Sequence, residues 1–315
     1  MSIITAILVV VGLCLFETVS SIDNAIINAE ILSGMSKRAR RWFLTWGVLF
    51  AVFVPRGILP WLVIWLTTPA LGPLGALTAT FSGDPRVLEA LHASSPLLLM
   101  AGGVFLVLLF LYWLFLEEKS YGIIGEKFFY ERGVWFYAVA SVMLAVVVWF
   151  ALKISSLLAF AAVIGSAVFF ITHGFKQNAA EQEKRLLTSA ISDLSKLLYL
   201  EILDLTFSVD GVLGAFAFTL AVPLILVGNG LGALVVRQLT VSNIDRIKRY
   251  RYLKNGAMYS ILCLGAIMMT DGFGATIPEW VSPLITFVVV GFFFVKSASE
   301  LRRPKVAVDS RKSRR

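Results

Sequence analysis

Charge is what this chain holds least of. Of its 315 residues only 15% are Asp, Glu, Lys or Arg while 58% are hydrophobic, and the mean hydropathy is +0.83. A soluble domain carries about a quarter charged residues, so the shortage excludes an ordinary soluble chain. Cysteine is scarce as well. Cys14 and Cys263 are the only two and both sit in apolar runs, which argues against a disulfide framework and a thiolate metal site. Histidine is confined to His92 and His173. The opening MSIITAILVVVGLCLF lacks a basic leader and a small-residue cleavage site, and so reads as a retained first helix rather than a signal peptide.

What the chain has in abundance is apolar runs near the ~20 residues that cross a bilayer. Nine candidate spans stand out, at roughly 3–33, 42–67, 96–116, 134–151, 154–175, 197–220, 222–240, 256–272 and 280–299. The expected fold is an all-α polytopic membrane protein. If the N-terminus lies outside, 23 of the 28 basic residues fall in inside segments, and outside segments keep only Arg86 and Lys153. The positive-inside rule therefore places the N-terminus outside and the C-terminus in the cytoplasm. The net charge of +8 then belongs beside anionic lipid and calls for no nucleic acid.

The chain divides into a first transmembrane half (1–175), a linker (176–196), a second half (197–300) and a basic, disordered tail (301–315). In the linker, Leu187, Ala190, Ile191 and Leu194 share one helical stripe, as in a helix lying on the cytoplasmic surface. Residues 70–95, with Gly72, Pro73, Gly83 and Pro85, are expected to form an outside loop, with re-entry into the membrane left open.

Two spans carry polar residues where lipid should forbid them. In the first, FETVSSIDNAIINAE (16–30) holds Glu17, Ser21, Asp23, Asn24 and Asn28; in the sixth, YLEILDLTFSVDGVLGAFAF (199–218) holds Asp204, Ser208 and Asp210. A shift of 187 positions superposes Glu17 on Asp204, Ser21 on Ser208 and Asp23 on Asp210, giving acid-x-x-x-Ser-x-Asp twice. The span after each motif carries an arginine nine residues beyond a glycine, Gly47 and Arg56, then Gly228 and Arg237. The first span runs outside to inside and the sixth runs inside to outside. The halves are thus expected to be inverted repeats, the plan of many secondary transporters, whose sites lie near the midplane where repeats meet.

FETVSSIDNA and LDLTFSVDGVLGAFA, each followed by its arginine-bearing span, resemble the TerC family of bacterial integral membrane proteins. That family is known for tellurite resistance and for members that export manganese. RYLKNGAMYSILCLGAIMM (251–269) and IPEWVSPLITFVVVG (277–291) continue the likeness; this combination most resembles an uncharacterised, domain-of-unknown-function branch. The resemblance implies a multi-pass protein of the bacterial plasma membrane, with membrane lipid and a divalent metal ion as its partners.

An ionised carboxylate in the hydrocarbon core costs at least ~2.5–3.5 kcal/mol, so these acids need a cation or a brace. Glu17, Asp23, Asp204 and Asp210 sum to −4 and the two arginines return +2, leaving the charge one divalent cation would match. The oxygen donors suit magnesium, calcium or manganese better than copper or zinc, and the family resemblance tips the choice to manganese. The expected metal site is Glu17, Asp23, Asn24, Asp204 and Asp210, supported by Ser21, Asn28, Ser208, Arg56 and Arg237, with no resident cofactor. Arg56 is expected near Glu17 or Asp23, and Arg237 near Asp204 or Asp210.

Six residues separate the two acids of each motif, ~9 Å of rise and roughly 120° around a regular helix. Either they serve different contacts or the helix breaks. A break near Ser20–Ser21 is favoured, with Gly211 permitting the same in the second motif. The bland alternative is that the acids and arginines only brace the spans. Two other functions compete with manganese efflux: an intramembrane aspartyl protease built on Asp23 and Asp210, ranked low because Gly-x-Gly-Asp is absent, and a scaffold for a tellurite or metal stress-response complex. Self-association stays open.

Overall fold

The computed structural model describes residues 1–47, 72–82, 85–188, 192–242 and 249–302, together with positions 50, 54, 58, 61, 62 and 65. Most of the span expected at 42–67, and the tail beyond Arg302, lie outside the described residues. Every regular element described is a helix. The helices are α1 (Ile3–Ser20), α2 (Ile22–Ser33), α3 (Lys37–Trp42), α4 (Gly72–Ser82), α5 (Pro85–Leu116) and α6 (Glu126–Tyr130). There follow α7 (Trp135–Leu152), α8 (Ser156–Thr188), α9 (Asp193–Ala215), α10 (Val222–Ser242), α11 (Leu253–Gly272) and α12 (Val281–Arg302). A π-helical turn, Phe43–Gly47, extends α3.

Among the described residues, five segments are long and apolar enough to cross a membrane: Ile3–Ser20, Ser94–Leu116, Trp135–Leu152, Ser156–Lys176 and Val281–Arg302. The protein is an all-α, multi-pass membrane protein. α9 and α11 are less apolar for identifiable reasons. α9 carries the acids of the second motif. α11 packs against α5, α12, α1 and α9, so little of it needs to face lipid and residues such as Asn255 and Ser260 are buried among neighbours. By contrast α7 presents Trp135, Tyr137, Val142, Val146 and Trp149 outward, as a lipid-facing helix should.

α5 and α11 form the tightest seam. An added Cβ at Gly103 would lie 2.8 Å from the backbone nitrogen of Met269 and 2.9 Å from the carbonyl of Gly265. Small residues let helix backbones approach this closely, which is what drives association where the hydrophobic effect between helices is lost. One end of the same seam is tied by the loop after α5. Lys119 donates to the carbonyls of Trp113 and Leu114, satisfying two of the orphan acceptors that end every helix, and its ammonium lies 4.4 Å over the Trp113 ring. Glu126, only 2% exposed, accepts from the Gly122 amide at 2.6 Å and from Asn255 of α11 at 3.0 Å.

Two expectations change. The described residues of 70–95 are helical rather than a loop: Pro73 and Pro85 stand in the first turns of α4 and α5, where a missing N–H costs nothing. The linker is not a separate helix. Residues 177–188, free of glycine and proline, continue α8 to Thr188, and α9 opens at Asp193 behind Ser192, whose hydroxyl accepts from the Ser195 amide at 3.3 Å.

Gly103→Ala is expected to destabilise the detergent-purified protein by about 1–3 kcal/mol, the cost of overpacking. Gly174→Ala, where an added Cβ meets nothing within 4 Å, should leave the melting temperature unchanged or raised. Equal effects in thermal melts would contradict the seam. Lys119 makes a second, pH-dependent prediction. Burial lowers its ammonium to about 8 against the attraction of Glu126 and Glu117, below the ordinary lysine value of ~10.4. Between those values the unfolded state binds more proton, so this residue's contribution to stability should rise with pH. Melting curves of the wild type and Lys119→Gln across pH 8–10 should therefore diverge in that sense.

Candidate functional site

α1 is interrupted within its polar run. Ser21, at φ −90° and ψ 5°, stands between α1 and α2; its amide donates to the Glu17 carbonyl at 3.1 Å and its carbonyl accepts from Ala25 at 2.9 Å. The break expected at Ser20–Ser21 is therefore a one-residue turn. Its counterpart at Gly211 is absent: α9 runs unbroken from Asp193 to Ala215. Gly211, Val212 and Ala215 are buried there, and such tertiary packing overrides glycine's weak helix preference.

Glu17 is 5% exposed and accepts from Ser21 Oγ at 3.1 Å. α10 reaches it through a glycine face. An added Cβ at Gly232 would lie 2.6 Å from Glu17 Cβ and 2.8 Å from the Cys14 carbonyl, and one at Gly228 would lie 2.6 Å from Leu13 Cβ.

The two motifs meet at Asp204. Asn24 and Asn28, one turn apart on α2, both donate to Asp204 Oδ1, at 2.7 and 2.8 Å. Asp204 is 7% exposed and Asn28 8%. A carboxylate only accepts, so the amide nitrogens face it and the amide oxygens point elsewhere. Both of those oxygens, Asn24 Oδ1 and Asn28 Oδ1, are buried without a hydrogen-bond partner. Among the described residues no cation pairs with Asp204. One turn earlier on α9, the half-buried Glu201 has a buried, unpartnered Oε1. It is seated so close to Gly47 that a Cβ there would lie 2.1 Å away.

Asp210 faces another way. Its Oδ2 lies 2.5 Å from Lys176 Nζ on α8, with the two side chains 14% and 13% exposed. Its Oδ1 is buried without a hydrogen-bond partner. Since α9 stays regular, the ~9 Å and ~120° between Asp204 and Asp210 send the first to α2 and the second to α8. The two acids of this motif serve different contacts.

Arg237 is half-buried on α10 and makes no ion pair with a described residue. α10 turns its glycines to α1, while α9 offers Asp210 to α8, so the cation found on Asp210 is Lys176 rather than Arg237. Arg56 and the side chains of Asp23 and Ser208 lie outside the described residues. Among those described, no three His, Cys, Asp or Glu side chains converge as a metal cluster. Lys176 fell at the start of the expected linker (176–196), and Glu201 was not among the expected site residues. The signals for them were an apolar run that continues into helix-forming residues without a break, and an i, i+3 spacing from Asp204.

A family described as Protein of unknown function (DUF475) matches residues 22–304, nearly the whole chain, and the protein belongs to that family. No curated protein and no solved structure matches it.

Replacing Asp204 by Ala strands two amide donors, one of them nine-tenths buried, and should cost about 1–3 kcal/mol. Asn28→Ala in the same chain should then cost less than it does alone, with a coupling of about 0.5–3 kcal/mol. Additive losses in unfolding measurements on the two single variants and the double variant would show that the contact contributes nothing.

Proposed function

We propose that this member of the DUF475 family moves a hard divalent cation across its membrane, with Asp204 and the amides of Asn24 and Asn28 at the centre of the ion's path. One observation carries the reading: a buried carboxylate that is solvated by two neutral amides and has no countercharge among the described residues. Intramembrane acids of this kind mark ion or proton pathways. Each amide can serve both states. With the site empty its N–H end holds the carboxylate; after a half-turn about the last side-chain bond its oxygen faces an ion bound there. Glu201 Oε1 adds an anionic oxygen on the same side of α9. Such a donor set, all oxygen, suits magnesium, calcium or manganese.

The resemblance to the TerC family points the choice to manganese, the direction to efflux and the location to the bacterial plasma membrane. An inverted-repeat plan is supported by two crossings. Gly228 of the second half packs on Leu13 of α1, while Gly47 of the first half packs on Glu201 of α9, and the shift of 187 takes Leu13 to Leu200, the neighbour of Glu201. Sites at the meeting of two such repeats are a recurring transporter design. Lys176 on Asp210 disfavours an aspartyl dyad at that residue, since a dyad needs a second carboxylate there.

Reconstituted into vesicles, the protein should pass Mn²⁺ or another hard divalent ion down its gradient. Asp204→Asn keeps the side chain's size and removes its charge; flux should fall by about 10–100-fold, the loss typical of disturbed metal sites, with little change in melting temperature. Undiminished flux in a stable Asp204→Asn protein would exclude this path. Absence of flux for every ion tested would favour a scaffold in a metal stress-response complex.

A further inference from the structure

The charge that neutralises Asp210 comes from a flexible side chain placed at a boundary. Lys176 is the last residue of the apolar segment Ser156–Lys176, and the helix continues into Gln177, Asn178 and Glu181. A lysine here has two stable places for its ammonium. It can reach inward to Asp210, as it does at 2.5 Å, or extend outward along its four-carbon stem to the polar end of α8, as lysines near span ends do. The carboxylate it holds is only half used, because Asp210 Oδ1 is buried and unpartnered. The helix that carries the lysine is held at that turn by His173, whose ring lies 3.7 Å from that of Tyr112 on α5. Movement therefore falls to the side chain rather than to the helix.

We propose that Lys176 is a tethered cation that occupies Asp210 while no transported ion is present, and that the ion must displace its ammonium to pass. This rests on the transport reading above. It gives the two acids of α9 distinct tasks: Asp204 receives the ion among neutral amides, and Asp210 exchanges a covalently attached cation for a mobile one. The exchange keeps the buried carboxylate compensated in both states, so neither an unpaired anion nor two crowded cations has to be held within the membrane. Lys176 stays protonated throughout; only its position changes.

The test is Mn²⁺ binding to the purified full-length protein, by calorimetry, for the wild type, Lys176→Gln, Lys176→Arg and Asp210→Asn. If the lysine occupies Asp210 nine-tenths of the time, removing it should tighten binding about tenfold, since apparent affinity scales with the competent fraction. Lys176→Gln should also slow Mn²⁺ flux, because the ion loses its competitor. Lys176→Arg keeps the charge and grips a carboxylate with a two-pronged fork, so it should weaken Mn²⁺ binding. It also keeps the ion pair, so it reads the competition even if Lys176→Gln does not fold. Wild-type affinity in both lysine variants, with binding weakened in Asp210→Asn, would overturn the competition and leave the transport reading standing. Failure of the wild type and all variants to bind Mn²⁺ would overturn both.

Discussion

A carboxylate inside an apolar bundle must find its solvent within the fold, and the arrangement around Asp204 follows from that need. Two asparagine amides on α2 do the work water would do at a surface. For both to reach one oxygen, α2 must lie beside α9 in a fixed register, while α1 before the turn at Ser21 packs on α10. Neutral donors satisfy the hydrogen-bonding demand of the anion but not its charge. That unmet charge sets Asp204 apart from Asp210, six residues on, whose charge Lys176 compensates.

Close approach of backbones makes this possible. Gly228 and Gly232 bring α10 against α1 beside Glu17, and Gly103 with Gly265 brings α5 against α11. In a membrane, packing of this kind replaces the hydrophobic drive that holds soluble helices together. The polar residues can then sit at helix crossings without being exposed to lipid, and the apolar bulk of α7 and the outer face of α12 remain to meet it.

The architecture was legible in the sequence because apolar length is a direct consequence of bilayer thickness. The apolar cores of α7, α10 and α12 fall close to the spans expected of them. The meeting of Asn24 and Asn28 with Asp204 was legible in part, since polar residues in two apolar spans have nowhere to go but toward each other. Other features were hidden for physical reasons. The end of an apolar run shows where the lysine backbone leaves the membrane, yet says nothing of where a flexible ammonium comes to rest, so Lys176 read as the first residue of the linker. Equivalent motif positions also need not bend alike: Ser21 interrupts its helix, whereas Gly211 is held straight by buried neighbours. Prolines at 73 and 85 suggested a loop, although proline at a helix start is as much at home as in a turn.

α8 extends 33 residues as one helix, about 50 Å at 1.5 Å per residue, and some 18 Å of it lies beyond Lys176. The step from apolar to polar sequence therefore falls inside one continuous run of backbone hydrogen bonds, with Lys176 at the point where the apolar segment ends.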